Sequence, residues 1–287
     1  MIFVEDLGNP EGPVLLPDNS WLVAEMRLDR GWITHLSADG RRREVLAKTG
    51  RPNGLTRDHE GAIWVAESLT PALVRLTLDG QYETILTACS DDPFLFPNDL
   101  RFGPDGALYM TDSGIRFTEW ARLNGEQRRQ AQTDGRIYRI DPHTRAIQKL
   151  DSGLPFANGL AFGPHRDLFV SATISGMVYR YPWRRGRVGP REEFGSVLDP
   201  TFPDVFRGPD GMAFGADGNL YVTVSRQGDV AVLNPEGVVV KRIHLDGPSP
   251  TNIAFGPQGT QTIYVTEQGV GQLERHQVLC DGLPLLW

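Results

Sequence analysis

The chain repeats one short phrase six times. Each copy begins with a residue whose side chain carries a carbonyl oxygen, passes through a turn and ends in a short apolar run, as in NDLRFGPDGALYMTD. The leading residues recur at intervals of 42, 45, 60, 52 and 42 residues, and they are Glu11, Asn53, Asn98, Asn158, Asp210 and Asn252. A period of about 40 to 50 residues that contains only strand patterns predicts an all-β fold of the propeller type.

Each repeat predicts one blade of four strands. A strong hairpin comes first, with Pro-Asp-Gly as its turn in LRFGPDGALYMTD, and a weaker hairpin follows, as in LVRLTLDGQYETIL. Runs such as IWVA and LYMT are apolar on both faces, which suits strands buried between neighbouring blades. We therefore predict a single six-bladed β-propeller domain over residues 1–287. We expect the N-terminal strand IFVEDL to join the last blade beside VGQLERHQV and to close the ring.

The composition excludes several classes of partner. The chain is 40% hydrophobic and 23% charged, as in ordinary globular proteins with a substantial core. Its net charge of −7 argues against nucleic acid and anionic membranes as partners. The sequence contains no apolar run of the roughly 18 residues that a membrane span needs. The N-terminus lacks a basic stretch followed by a long apolar run, so we expect a cytoplasmic protein.

The leading residues are expected to meet on one ring. Each one precedes the innermost strand of its blade, so equivalent positions on six blades surround one end of the central channel. Asn-Gly and Asp-Gly are also common turn dipeptides, which is the alternative interpretation. However, glycine follows only some of the leading residues, whereas a side-chain oxygen recurs in all six. Four amides and two carboxylates form an oxygen-rich set that suits a hard divalent cation.

A metal site in the central channel follows from this set. Two carboxylates balance the charge of one divalent ion, and without a cation their repulsion raises the pKa of at least one of them. Ca²⁺ is the expected ion, and Mg²⁺, Mn²⁺, Fe²⁺ and Zn²⁺ stay open because oxygen sites are often selective only through metal availability. The predicted ligands are Glu11, Asn98, Asn158 and Asp210. The two other ring members, Asn53 and Asn252, are predicted to contact substrate or water.

The order of the phrases resembles a known family. The phrases EGP, PNDLRFGPDGALYMTDSG, NGLAFGP, PDGMAFGADGNLYVT and TNIAFGP are similar to those of the SMP-30/gluconolactonase/LRE (regucalcin-like) family, and most of all to its bacterial gluconolactonase branch. This resemblance covers the whole chain and implies a six-bladed propeller with a divalent cation at the top of its channel. It implies Glu11, Asn158 and Asp210 as ligands, and Asn98 as a ligand or substrate contact. Where the animal branch has a sugar-binding arginine, this chain has Phe96.

The predicted function is a divalent-metal-dependent hydrolase that opens a sugar lactone or another small lactone. The metal polarises the lactone carbonyl and activates water. Asp210 is predicted as the catalytic base, and a role as a ligand alone stays open. The alternatives are a metal-dependent phosphotriesterase or other esterase of the same fold, a lyase or isomerase that uses the same metal, and a non-catalytic calcium-binding propeller. The sequence has no G-x-S-x-G motif for a serine nucleophile.

Two long repeats predict loops that wall the pocket. The longest excess falls in GIRFTEWARLNGEQRRQAQTDG, which includes a short helical pattern, and a second is expected near YPWRRGRVGPREEFG. A loop that faces solvent or another subunit is the alternative. Four residues are predicted to contact the substrate from these loops or from the channel mouth, and they are Arg116, Glu119, Trp120 and Arg207.

Overall fold

The backbone forms six four-stranded antiparallel sheets arranged as blades around a central channel. The computed structural model describes residues 1–284, and residues 285–287 of the predicted domain lie outside the described part. In five blades the four strands follow each other in chain order, from the channel to the outer edge. The prediction of an all-β, six-bladed propeller with four-stranded blades is confirmed.

The strand bounds follow the repeats of the sequence. From the channel outwards, blade 1 contains Pro10–Leu15, Trp21–Glu25, Trp32–Leu36 and Arg43–Lys48. Blade 2 contains Pro52–Arg57, Ile63–Glu67, Ala72–Leu76 and Tyr82–Leu86. Blade 3 contains Pro97–Phe102, Leu108–Asp112, Gly135–Ile140 and Ile147–Leu154. Blade 4 contains Ala157–Phe162, Leu168–Ala172, Met177–Tyr181 and Glu192–Ser196. Blade 5 contains Gly208–Phe214, Leu220–Ser225, Asp229–Leu233 and Val239–His244. Blade 6 contains Pro250–Phe255, Thr262–Glu267, Gln272–Gln277 and Ile2–Val4. The smaller elements are the helices Phe117–Trp120 and Gly125–Gln130 and the two-stranded ribbons Ala88–Cys89 with Asp92–Pro93 and Trp183–Arg184 with Arg187–Val188.

The second strand of each blade forms the core between blades. Every residue of Ile63–Glu67 and Leu108–Asp112 is buried, because both faces of these strands pack against neighbouring sheets. The hairpin that precedes Leu108–Asp112 turns at Gly106, whose φ of 74° favours glycine. The N–H of Gly106 donates to the carbonyl of Gly103 at 3.0 Å and closes this turn.

The N-terminal and C-terminal parts of the described chain share one sheet. Ile2–Val4 pairs antiparallel with Gln272–Gln277 and forms the outer strand of blade 6. At the channel, the Thr251 hydroxyl donates to the Pro10 carbonyl at 2.7 Å and joins blade 6 to blade 1. Within residues 1–284, we find no helix that is both long and apolar enough to cross a membrane.

One end of the propeller carries a cap. Residues 113–134 connect the second and third strands of blade 3 at the end where all six inner strands begin, and they contain both short helices. Residues 198–207 connect blade 4 to blade 5 at the same end. Arg129 joins the two segments, because its Nη1 donates to Asp204 Oδ1 at 2.7 Å. We call residues 113–134 and 198–207 the cap.

The second loop predicted to wall the pocket lies elsewhere. Residues 182–191 connect the third and fourth strands of blade 4, and in an antiparallel sheet this connection falls at the end opposite the cap. Trp183 accordingly contacts Phe162, the last residue of the inner strand, with 6.2 Å between ring centroids. The prediction that this segment walls the pocket was wrong, because sequence length alone does not show at which end a loop emerges.

Candidate active site

A β-bulge occurs where each inner strand begins. In blade 3, Pro97 pairs with Asp112 and Leu100 with Met110, so two residues of the inner strand face only Thr111. Such a bulge re-aims side chains at the end of a strand. The other five inner strands have an irregularity at or next to the leading residue. The six leading residues therefore begin equivalent strands around one end of the channel.

The Asn-Gly and Asp-Gly dipeptides of this ring lie in strands, so their interpretation as turns is wrong. Gly54 lies within Pro52–Arg57, and a Cβ added to it would stand 2.6 Å from the Cα of Asp99 in the next blade. A Cβ added to Gly211 would stand 2.7 Å from the Cα of Asn252. Glycine is thus required by the close approach of inner strands near the axis. A turn therefore does not account for the oxygen-bearing side chains that precede these glycines.

Ser113 fixes the orientation of the Asn98 amide. The Ser113 hydroxyl donates to the carbonyl of Ala157 at 3.0 Å, so its oxygen can only accept from Asn98. It accepts from Nδ2 of Asn98 at 3.0 Å. Asn98 is 3% exposed, and its Oδ1 is buried with no hydrogen-bond partner among residues 1–284. A buried acceptor without a donor is costly, which indicates that a ligand supplies the missing contact.

The same arrangement recurs in blade 4. The Thr173 hydroxyl donates to the carbonyl of Pro209 at 2.9 Å and accepts from Nδ2 of Asn158 at 3.0 Å. The Asn158 Oδ1 is also buried, and no donor in the described part of the chain reaches it. Two neighbouring blades therefore hold an asparagine with its nitrogen bound to the protein and its oxygen without a partner. This is the orientation that a cation requires of an amide ligand.

The two carboxyl groups of the ring, those of Glu11 and Asp210, both have a raised pKa. Burial raises the pKa of Glu11 to about 8, and the charge of Asp99 adds to this effect, while hydrogen bonds from the Gly12 backbone and the Asn252 side chain oppose it. Burial also raises the pKa of Asp210 well above its ordinary value, and the next largest cause is the charge of Glu11. A divalent cation would stabilise both ionised carboxylates. The oxygen donors of Glu11, Asn98, Asn158 and Asp210 fit such an ion.

Asp99 and Arg101 were not predicted as parts of the site. Asp99 is fully buried, and its Oδ1 lies 3.6 Å from Nη1 of Arg101, which also donates to the Leu55 carbonyl at 2.9 Å. The charge of Asp99 acts on both Glu11 and Asp210. A polar residue directly after Asn98 in the phrase PND was the available signal. The bulge turns both members of that pair towards the channel, which a strict alternation of strand faces does not predict.

The remaining ring members differ in how they are held. Asn252 is fully buried, its Oδ1 accepts from the Ile253 backbone at 2.8 Å, and its Nδ2 lies 3.5 Å from Asp99 Oδ2. Asn53 is 3% exposed and begins blade 2 at the equivalent position. Asn252 is therefore already bonded to the protein, whereas Asn53 stays a candidate for contact with substrate.

The four residues predicted from loops are scattered over the cap. Trp120 is buried and packs on Phe156 at 4.1 Å between ring centroids. Arg116, the N-cap of the first helix of the cap, and Glu119 within that helix are exposed. The Arg207 guanidinium donates to the carbonyls of Pro203, Val205 and Asp199 and to Oε1 of Gln227. Arg207 thus stabilises the 198–207 segment. Its N–H donors are bonded to the protein and not left for a substrate.

Two further features delimit the site. Within residues 1–284, no cluster of three or more His, Cys, Asp or Glu side chains that could hold a metal occurs, and two of the four predicted ligands are asparagines. At the opposite end of the channel lies a largely apolar cavity of about 280 Å³, lined by residues that include Val14, Arg101 and Met212. The polar ring and this cavity thus lie at opposite ends of the channel, and Arg101 extends from the cavity to Asp99.

The comparisons with known proteins agree with this fold. The chain is 27% identical to a gluconolactonase of Zymomonas mobilis subsp. mobilis over 285 residues, which cover 92% of this chain and 78% of that protein. It shares its fold with the gluconolactonase XC5397 of Xanthomonas campestris (TM-score 0.77, 24% identity, 99% and 89% of the two chains). It also shares it with the calcium-binding protein regucalcin of Agrobacterium tumefaciens strain C58 (TM-score 0.77, 19% identity, 98% and 97%). Residues 9–269 match the SMP-30/gluconolactonase/LRE-like region, and the chain therefore belongs to that family.

Proposed function

We propose that this chain is a divalent-metal-dependent lactonase that opens a sugar lactone or another small lactone to its hydroxy acid. The observation that carries the proposal is the pair of buried amide oxygens, Asn98 Oδ1 and Asn158 Oδ1. Neither has a donor among residues 1–284, and the same ring holds two carboxylates of raised pKa. The gluconolactonase from Zymomonas mobilis supports the substrate class.

Four residues would hold the ion. Glu11 and Asp210 supply two negative charges, and the amides of Asn98 and Asn158 supply neutral oxygens. A set made only of oxygen donors favours Ca²⁺, with Mg²⁺, Mn²⁺, Fe²⁺ and Zn²⁺ as competitors, and the calcium-binding regucalcin of the same fold supports that choice. When bound, such an ion polarises a lactone carbonyl and lowers the pKa of a water.

Asp210 is the residue that we assign to proton transfer. Asp210 is less buried as a residue than Glu11, which is 2% exposed, and we therefore assign the attacking water to Asp210. Its carboxylate accepts the proton of the water that attacks the carbonyl carbon. As the ring C–O bond breaks, the same carboxyl returns that proton to the departing oxygen and yields the hydroxyl of the product.

Asn53 and the cap complete the proposed pocket. Asn53 is the second residue of the inner strand of blade 2, equivalent in position to the predicted ligands, and we assign its amide to hydrogen bonds with oxygen atoms of the substrate. Trp120 packs the first helix of the cap against Phe156 and Phe206 beside the ring. These apolar side chains exclude bulk water from that side, which strengthens electrostatic interactions at the carbonyl.

The test is metal-dependent lactone hydrolysis. Protein stripped with a chelator is assayed by proton release with D-glucono-1,5-lactone, after subtraction of spontaneous hydrolysis, and then with each divalent ion restored. We expect activity to return with the metal, to be lost in Asp210→Asn and to persist in Asp217→Asn, which makes the same change at an exposed hairpin of blade 5. Unchanged activity in Asp210→Asn, or no metal-dependent hydrolysis with any lactone of a panel, would refute the proposal.

The same assay separates the alternative functions. Faster turnover of an organophosphate triester than of any lactone would identify a phosphotriesterase. A product without added water would identify a lyase or isomerase. Stoichiometric Ca²⁺ binding without turnover of either substrate class would identify a non-catalytic calcium-binding propeller.

A further inference from the structure

A buried arginine stands above the ring. Arg51 is 8% exposed and precedes the inner strand of blade 2, two residues before Asn53. Phe96 and Phe156 occupy the equivalent positions two residues before Asn98 and Asn158. The position therefore lies at the channel mouth in each of these three blades. Only blade 2 places a cationic side chain there.

Hydrogen bonds and aromatic contacts hold Arg51 in place. The Arg51 backbone N–H donates to Glu67 Oε1 at 2.7 Å, and its Nη1 donates to the Ser68 hydroxyl at 2.8 Å. The guanidinium carbon lies 3.9 Å from the ring centroid of Phe117 in the cap and 5.3 Å from that of Phe96. Stacking on aromatic faces leaves the N–H donors, which point outwards in the guanidinium plane, available for other partners.

Those donors are poorly satisfied. The Arg51 Nε is buried without a hydrogen-bond partner, and the bond to Ser68 is the one hydrogen bond that the guanidinium makes within residues 1–284. None of the ion pairs within 4.0 Å in this described part of the chain involves Arg51. Buried charges in proteins are normally paired, because an unpaired one loses its hydration without compensation. The missing partner is therefore expected to come from a ligand.

The positive charge of Arg51 interacts with the carboxylates of the ring. Burial lowers the pKa of Arg51 to about 10, and the carboxylates of Glu67, Glu11 and Asp210 oppose this shift. Arg51 thus remains cationic at neutral pH, within the field of both ring carboxylates. In the proposed enzyme, the negative charges of Glu11 and Asp210 would be balanced by the divalent ion that they hold. The guanidinium then has no carboxylate within 4.0 Å in residues 1–284 to balance its charge.

We propose that Arg51 binds an anionic substituent of the substrate, so that the preferred substrates are lactones that carry a carboxylate, sulfonate or phosphate group. The inference rests on the proposed lactonase function and adds the substrate class and the residue that selects it. An oxyanion supplies several acceptors to one guanidinium, and such charge-assisted bonds are stronger than those to a neutral hydroxyl. Phe96 and Phe117 hold the guanidinium plane in place for that contact.

The test compares two lactones that differ only by a phosphate group on the 6-hydroxyl. D-glucono-1,5-lactone and its 6-phosphate are assayed with the metal-loaded wild type, Arg51→Met, Arg51→Lys and the control Arg57→Met, which changes the other end of the same strand. We expect the wild type to prefer the phosphate. Arg51→Met should lower kcat/KM for the phosphate about 10- to 100-fold, mainly through KM, the range expected for lost hydrogen bonds to a charged group. The neutral lactone should be affected little, and Arg51→Lys should restore part of the preference.

Loss of both activities in equal proportion, or an unchanged preference in Arg51→Met, would overturn the role of Arg51. Direct binding separates this outcome from a failure of the lactonase proposal. Calorimetric titration of the Ca²⁺-loaded protein with 6-phosphogluconate and with gluconate should show tighter binding of the phosphate, and this difference should disappear in Arg51→Met. If the wild type hydrolyses neither these two lactones nor any other lactone of the panel, the lactonase proposal fails, and the titration still decides whether Arg51 selects an anion. Thermal unfolding of each variant shows which of them are folded, and the folded Arg51→Lys decides the matter if Arg51→Met is not.

Discussion

Replacing Thr173 by valine removes one hydroxyl and keeps the shape of the side chain. That hydroxyl donates to the Pro209 carbonyl and accepts from Asn158 Nδ2, and the second bond fixes which end of the amide faces the ring. Without it, the amide nitrogen keeps only its side-chain hydrogen bond to Asp210, and the amide is free to turn its nitrogen towards the ion. We expect Thr173→Val to weaken metal binding although Thr173 is not itself a predicted ligand.

The size of the effect follows from the bonds lost. Removing the partner of a buried polar group costs about 1–3 kcal/mol of unfolding free energy. Loss of a group that orients a metal ligand lowers affinity by about 10- to 100-fold, which corresponds to about 1.4–2.7 kcal/mol of binding free energy. Chelator-stripped protein is titrated with Ca²⁺ in a calorimeter for the affinity, and its stability is measured by urea denaturation in EDTA.

Thr223→Val is the matched control. The Thr223 hydroxyl donates to the carbonyls of Gly211 and Thr251 at 3.0 and 2.7 Å, on the second strand of blade 5, but it bonds to no predicted ligand side chain. This variant should lose a similar amount of stability and keep its Ca²⁺ affinity. Equal losses of affinity in the two variants, or full affinity in Thr173→Val, would refute the claim that Thr173 orients Asn158.

Two other predictions concern protonation and packing. In EDTA, the unfolding free energy should fall as the pH rises from 4.5 to about 8, because folded Glu11 keeps a proton that the unfolded chain has already released. Saturating Ca²⁺ should remove this decline, and denaturation curves in EDTA that stay level or rise with pH would contradict the raised pKa. Gly211→Ala should destabilise the protein by about 1–3 kcal/mol through overpacking, since the new Cβ would stand 2.7 Å from the Cα of Asn252. Gly125→Ala, in a helix of the cap with space for a methyl group, is the control that should keep full stability in the same urea titration.

The repeated phrase was enough to predict the architecture because equivalent positions on a symmetric fold occupy equivalent places. One copy predicts one blade, and the leading residues then begin equivalent strands around the axis. The phrase also explains the glycines after Asn53 and Asp210, but through the contacts between inner strands and not through turns. That distinction depends on how close the strands approach, which the sequence of a single blade does not contain.

Features that differ from one blade to the next were harder to predict from the sequence. Asp99 faces the channel because a bulge places two consecutive residues against one, and Arg51 is enclosed because Phe117 from a distant insertion packs over it. Residues 182–191 emerge at the opposite end because they follow a third strand and not a second one. Each of these facts depends on three-dimensional neighbours that lie in other blades or loops.

The central claim is that oxygen atoms of Glu11, Asn98, Asn158 and Asp210 bind one divalent cation at the end of the channel. The most direct test is an anomalous difference map from crystals of this protein grown with Mn²⁺, which can replace Ca²⁺ in oxygen sites. We predict one strong peak in the channel, with an oxygen of each of the four side chains at about 2.0–2.6 Å. A map with no peak among these residues, in crystals whose protein binds the ion stoichiometrically in solution, would contradict the account.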